Sequence, residues 1–104
     1  MSSYREAKEG VQYQGIDERR AYKFDASPWG AGTITAPTTK VYDTADDSDV
    51  TSTVMPSGAA SVTGSVITTP LLRALTAGKQ YRVVTGWNVG GDYLEMFFFV
   101  LAEL

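Results

Sequence analysis

The stretch that decides the fold is LTAGKQYRV at residues 75–83, where the spacing Leu-x-x-Gly-x-x-Tyr leads into an alternating apolar run. Gly78 lets the chain turn sharply, because a residue without Cβ adopts positive φ at little cost. Tyr81 would then begin a strand, with its ring in the core and its hydroxyl bonded back to the backbone upstream. An ordinary turn followed by a strand tyrosine would give the same letters, so the neighbouring sequence has to decide.

Two strand-like runs joined by a glycine pair follow this turn. Along residues 79–89 the odd-numbered residues from Tyr81 onward share one face, which is the period-2 pattern of a half-buried strand. Gly90-Gly91 suits a two-residue hairpin loop because both residues can take positive φ, and the chain then returns along residues 93–103. In this context the motif resembles the tyrosine corner of immunoglobulin-like and fibronectin-type sandwiches.

Short β-prone segments bounded by Pro and Gly precede the corner. They lie at residues 21–25, at 33–35 and 40–42 as a split edge strand around Pro37, and at 50–55, 59–62 and 66–69. We count about seven strands and no convincing helix. The sequence therefore predicts an all-β fold, an immunoglobulin-like β-sandwich whose tyrosine corner is built by Leu75, Gly78 and Tyr81.

The chain divides into a polar N-terminal arm at residues 1–20 and a β-sandwich domain at residues 21–104. The arm is charged and has no strong periodicity, with Tyr4, Val11, Tyr13 and Ile16 as its candidate anchors. Such a segment is either a disordered tail or a piece that packs on its own domain or on a neighbour.

Composition excludes several functions. The 104 residues suit one domain with a real core, and nine basic against 12 acidic residues give a net charge of −3, which argues against nucleic-acid binding. The sequence has no Cys and no His, so it has neither thiolate ligands nor the commonest general base. We expect no enzyme activity, no cofactor and no metal.

The sequence also bears on where in the cell the protein is found. The first residues show no apolar core with a cleavage site, and the longest apolar run, residues 96–102, is far shorter than the roughly 20 residues that span a bilayer. We therefore expect a protein that is made in a cytoplasm and has no membrane partner.

The final strand carries apolar side chains on both faces. If Gly90-Gly91 forms the loop, even-numbered residues from Leu94 share the face of Trp87, and odd-numbered ones share that of Val84. Leaving the second row in water would forfeit about 1.5–3 kcal/mol for each large side chain. The cover is the chain's own arm, a strand of a closed barrel, or another subunit. The residues assigned to the interface are Met96, Phe97, Phe98, Phe99 and Val100, and the first four are expected to divide between the core and the partner surface.

Two other binding sites compete with this interpretation. The loop Asp43–Asp49 could offer carboxylates to calcium, but it lacks the Gly and Glu of an EF-hand, and a solvated turn is the plainer interpretation. Trp29, Tyr42, Trp87 and Tyr93 could form a platform for a glycan; most suit a core, and only Trp29 has neighbours that favour exposure. Glu95 is expected in a solvated position opposite Gly86.

The order of these segments resembles small tailed-phage and prophage virion proteins of sandwich fold, the adaptor and accessory components of tail, fibre or head. The similar segments are residues 23–25 with 27–29, then 41–43, 49–52, 66–72 and 75–81. The resemblance implies a non-catalytic component of a virion, assembled in the host cytoplasm, that self-associates or docks on other virion proteins. The alternative is a carbohydrate-binding or adhesion module whose loops at Trp29 and residues 88–92 face the ligand.

Overall fold

A computed structural model describes residues 11–26, 32–56 and 60–104, and this part of the chain is mostly β-strand. The elements are β1 (Gln12–Gly15), β2 (Lys23–Asp25), β3 (Ile34–Asp43), β4 (Ser48–Asp49), α1 (Thr51–Val54), β5 (Ser61–Thr63), β6 (Val66–Thr68), β7 (Gln80–Val89) and β8 (Asp92–Glu103). The prediction of an all-β fold is confirmed, with eight strands among the described residues.

The strands form two sheets. The five-stranded sheet has the order β1-β8-β7-β3-β4, and the three-stranded sheet has the order β2-β6-β5. β1 runs parallel to β8, whereas the other neighbours in both sheets are antiparallel. The larger sheet is therefore mixed, and its parallel pair joins segments that are far apart in the sequence.

The β7–β8 hairpin has the predicted register. Val89 pairs with Asp92 across the two-residue loop, and Gly90 and Gly91 have φ of 63° and 140°. Pairing then continues without a shift to Gln80 opposite Leu101. Because the loop fixes this register, it also fixes which side chains of β8 face the core.

The core lies between the sheets. Tyr22 packs on Phe98 and Phe24 packs on Trp87, with ring centroids 5.1 and 5.6 Å apart, so β2 of the smaller sheet covers the hairpin of the larger one. Trp87 is fully buried in this cluster. Tilted aromatic pairs of this kind contribute about 0.5–1.5 kcal/mol beyond their buried area.

Two predictions for the middle of the chain were wrong. Residues 50–55 contain the helical turn α1 instead of a strand, since the Asp49 carboxylate accepts hydrogen bonds from the Thr51 N–H and hydroxyl and favours a turn over the β propensity of Val and Thr. The split edge strand is one ten-residue strand, β3. It stays continuous because a bulge at Ala36, with φ of 52°, and Pro37 absorbs the irregularity.

The second half of the predicted arm belongs to the domain. Gln12–Gly15 pairs with Val100–Glu103 as β1, so this part of the predicted arm packs on its own domain, one of the alternatives that the sequence left open. The buried amide of Gln14 accounts for this: its Nε2 donates to the Leu72 carbonyl at 2.7 Å, and its Oε1 accepts from the Tyr22 hydroxyl at 2.7 Å. Residues 1–10 lie outside the described residues.

Candidate functional site: the outer face of the five-stranded sheet

The turn at residues 75–81, where the sequence predicts a tyrosine corner, orients the hairpin that carries the site. The ring of Tyr81 is buried, and its hydroxyl accepts a hydrogen bond from the Thr76 N–H at 2.9 Å, which is the upstream backbone contact expected of such a corner. Gly78 has φ of 85°, and its N–H donates to the Ala102 carbonyl at 2.9 Å. Leu75 is buried beside them. The corner thus ties the start of β7 to the end of β8.

The outer face is the surface of the five-stranded sheet that points away from the core. Cross-strand register places one row of side chains from each long strand there. The outer face is defined as Tyr13, Thr38, Lys40, Tyr42, Arg82, Val84, Gly86, Tyr93, Glu95, Phe97, Phe99 and Leu101.

Three of the five residues assigned to the interface do not lie on this face. Met96, Phe98 and Val100 are buried in the core, because they lie on the same face of the hairpin as Trp87 and Tyr81. This corrects their assignment as interface residues. Phe97 and Phe99 alternate with them and lie half-buried on the outer face.

An apolar patch occupies the half of the outer face beside β1. It consists of Tyr13, Val84, Phe97, Phe99 and Leu101. The rings of Phe97 and Phe99 meet edge to face with centroids 5.6 Å apart, and Tyr13 is 56% exposed at the border of the patch. Clustered apolar side chains with partial exposure are typical of an interaction surface.

A cationic side chain flanks the patch on the β3 side. The Arg82 guanidinium lies 5.1 Å from the centre of the Tyr42 ring and 3.6 Å from the Asp47 carboxylate. Cation–π contacts at such half-exposed sites contribute about 0.5–1 kcal/mol. Arg82 therefore gives the patch a polar border held in one orientation.

Parts of β1 and β3 at the two sides of the same sheet bond to the protein's own side chains. At β1, the Gly15 N–H donates to Glu18 Oε1 at 2.7 Å, and Arg20 Nη1 donates to the Tyr13 carbonyl at 3.1 Å. At β3, the Val41 N–H donates to Thr51 Oγ1 at 2.8 Å. Together with the bulge and the proline of β3, these contacts hinder the addition of a further strand.

A small pocket lies on the other half of the outer face, toward the β7–β8 loop. We call it the Tyr93 pocket; it has a volume of about 110 Å³ and is lined by Thr38, Lys40, Tyr42, Val84, Gly86, Tyr93 and Glu95. The Tyr93 hydroxyl lies 3.4 Å from both Thr38 Oγ1 and Glu95 Oε2. A Cβ at Gly86 would clash with this hydroxyl, so the glycine makes room for the Tyr93 side chain to lie along the sheet.

Carboxylates of the acidic loop at residues 43–49 accept hydrogen bonds from neighbouring groups of the protein. Lys79 Nζ donates to Asp43 Oδ2 at 2.6 Å, and this bond, together with one from the Ala45 N–H, lowers the pKa of Asp43. The bond to Asp43 also raises the pKa of Lys79. Ser48 donates its hydroxyl and N–H to Asp46 and lowers the pKa of that carboxyl in the same way. The described residues contain no group of three or more acidic side chains arranged to hold a metal ion.

Those aromatic residues considered for a glycan platform that the structure describes lie on different faces of the sheet. Trp87 is fully buried in the core, whereas Tyr93 is 53% exposed and Tyr42 is half-buried on the outer face. Trp29 lies outside the described residues. Glu95 lies opposite Gly86, as expected from the hairpin register.

Sequence reasoning did not find the Tyr93 pocket, because Thr38 and Lys40 come from β3, whose pairing with β7 is shifted by the bulge. The feature of the sequence that could have indicated the pocket was Gly86. A glycine in the middle of a strand often marks a site where another group approaches the backbone closely.

Comparison with protein families, with curated proteins and with solved structures found no match for this chain. Among the described residues there is no helix long and apolar enough to cross a membrane. The geometry of the outer face is accordingly the basis for assigning a function.

Proposed function

We propose that this protein is a non-catalytic structural or adaptor component of a phage-type particle, and that it docks through the apolar patch. The observation that carries the proposal is the patch itself, where Phe99 and Leu101 keep part of their surface in contact with water beside the exposed Tyr13. Water contact at such side chains is costly, and a partner that covers them would recover about 25 cal/mol for each Å² of apolar area.

The contacts along β1 and β3 support docking by the face of the sheet. Glu18 and Arg20 bond to the backbone of β1, and Thr51 bonds to the backbone of β3. A partner strand would have to break these contacts before it could pair. The apolar patch presents no such barrier, because its side chains already point outward.

The immunoglobulin-like fold and the phage-type particle are parts of the same proposal. We assign the chain to the immunoglobulin-like sandwiches on the strength of the Tyr81 corner and the two packed sheets. The phage-type setting depends on the sequence resemblance described above. The lack of any His or Cys in the sequence is consistent with a protein that does no chemistry.

Light scattering on the wild type and on Phe99→Glu tests the docking surface. Phe99 pairs with Arg82 across the strands, so a glutamate there gains an opposite charge and the fold should survive. We expect the wild type to form a multimer and the variant to be a monomer with unchanged β-sheet circular dichroism.

Leu71→Glu is the matched control. Leu71 is also an exposed apolar residue, at 52%, but it lies in the connection before β7 and outside the sheet. This variant should keep the mass of the wild type. A wild type that stays monomeric up to about 1 mM would contradict self-association through the patch. Docking on a different virion protein would then be tested by cross-linking from position 99 in assembled particles.

A further inference from the structure

The Tyr93 pocket is built on three adjacent strands. Thr38 and Lys40 come from β3, Gly86 comes from β7, and Tyr93 and Glu95 come from β8. Side chains on paired strands are held more firmly than side chains on loops, which suits a binding site. The pocket is thus a preformed feature of the sheet.

The hydroxyl groups in the pocket have hydrogen-bonding capacity to spare. The Tyr93 hydroxyl is 3.4 Å from Thr38 Oγ1 and 3.4 Å from Glu95 Oε2, whereas a good O–H···O bond is about 2.7–2.8 Å long. Each hydroxyl can donate one bond and accept two. A ligand hydroxyl that bridges the Tyr93 hydroxyl to Thr38 or Glu95 would replace these long contacts with hydrogen bonds of ordinary length.

The charges in the pocket select against ionic ligands. The lining contributes one carboxylate, from Glu95, and one ammonium, from Lys40, so it offers a ligand no excess of either charge. The exposed side chain of Tyr93 adds an aromatic surface. A carboxylate, an ammonium, hydroxyls and an aromatic ring together match a neutral molecule that carries many hydroxyls on an apolar ring.

We infer that the Tyr93 pocket binds one residue of a neutral saccharide. Glu95 accepts hydrogen bonds from the sugar, Lys40 and Thr38 donate to it, and the Tyr93 ring packs against its C–H face. The volume of about 110 Å³ is below the roughly 300 Å³ at which pockets for larger ligands begin, so a single residue is the unit recognised. A contact of this size predicts a Kd on the order of millimolar.

This inference does not rest on the proposed function. The pocket and the apolar patch occupy different halves of the outer face and share only Val84 at their border. Saccharide binding is measured by the NMR shifts of the pocket amides, whereas docking is measured by the mass of the protein in solution. Either can fail while the other holds.

The test is an NMR titration of ¹⁵N-labelled wild-type protein with glucose, galactose, mannose or N-acetylglucosamine, each added separately. The sugars are taken to about 50 mM, well above a millimolar Kd. We expect saturable shifts for at least one sugar, centred on the amides of Thr38, Lys40, Gly86 and Glu95.

Tyr93→Ala removes the ring that packs against the sugar, and Glu95→Gln replaces a charged acceptor with a neutral one, so each should weaken binding by about tenfold. Tyr13→Ala is the matched control, because Tyr13 is another exposed tyrosine of the outer face but lies outside the pocket. It should bind like the wild type. Shifts that do not saturate with any of these sugars, or affinity that Tyr93→Ala leaves unchanged, would overturn the inference.

Discussion

The two faces of the β7–β8 hairpin have similar apolar side chains but different environments. On the inner face, Trp87 and Phe98 are almost completely buried against the smaller sheet. On the outer face, the rings of Phe97 and Phe99 are in contact with each other, and both side chains remain half-buried. Burial is therefore decided by strand register rather than by residue type, and the outer row is available for docking.

The largest expected contrast is the difference in stability loss between Phe98→Ala and Phe99→Ala. The two residues are neighbours of the same type, so the comparison isolates the face on which each lies. Phe98→Ala should lower the free energy of unfolding by about 3–5 kcal/mol, as a cavity in the core does. Phe99→Ala should cost about 1 kcal/mol, since only part of its area leaves water.

Urea unfolding at a protein concentration where both variants are monomeric measures this contrast, with unchanged m values as the check on two-state behaviour. Equal losses from the two substitutions would mean that the outer row is as firmly packed as the inner row. The distinction between core and docking surface would then fail.

Two tyrosine hydroxyls give the next contrast. Tyr81→Phe removes the acceptor for the Thr76 N–H on the inner face and should cost about 1–2 kcal/mol. Tyr93→Phe, on the outer face, removes only contacts of 3.4 Å and should change stability by less than about 0.5 kcal/mol. Thermal or urea unfolding measures both; a larger loss for Tyr93→Phe would contradict the role given to the corner.

Gly86→Ala sharpens the account of the outer face. In the wild type the three atoms nearest to the added Cβ all belong to the Tyr93 ring and hydroxyl, and Tyr93→Ala removes them. Alanine is better than glycine in a strand by about 0.5–1 kcal/mol, so the substitution should stabilise the Tyr93→Ala protein. A double-mutant cycle measures this coupling, which we expect to be about 1 kcal/mol. A coupling near zero would show that Tyr93 does not lie over Gly86.

The smallest expected effect concerns Asp43, at the rim of the inner face opposite Tyr81. The hydrogen bond from Lys79 lowers the pKa of Asp43 below its usual value of 3.8. Its contribution to stability is therefore present above about pH 4 and is lost as the pH falls through the lowered pKa. The stability difference between wild type and Asp43→Asn should shrink as the pH is lowered from 5 toward about 2. A difference that grows on acidification would contradict this sign.

The hairpin could be predicted from sequence because its loop is local. Gly90-Gly91 fixes the register, and the register divides Phe98 from Phe99. The pairing of β1 with β8 could not be predicted, since nothing near Gln14 in the sequence indicates that its amide is buried against Leu72. Contacts between distant segments are decided by packing of the whole chain.

The turn at α1 and the Tyr93 pocket were missed for related reasons. Valine and threonine favour a strand at residues 50–54, but a side-chain hydrogen bond from Thr51 to Asp49 outweighs that preference. The pocket needs Thr38 beside Tyr93, and this depends on a bulge whose effect on register cannot be judged from β3 alone.

The parallel pairing of β1 with β8 has a consequence for the order of folding. Gln12 meets Val100 only after nearly the whole chain has been gathered, so closing this contact costs more chain entropy than closing the β7–β8 loop. The pair should therefore form late, and β1 should be among the first strands to open in the native state. Opening would uncover the edge of β8 at residues 100–103, which makes the contacts of Gln14 a safeguard against aggregation as well as a source of stability.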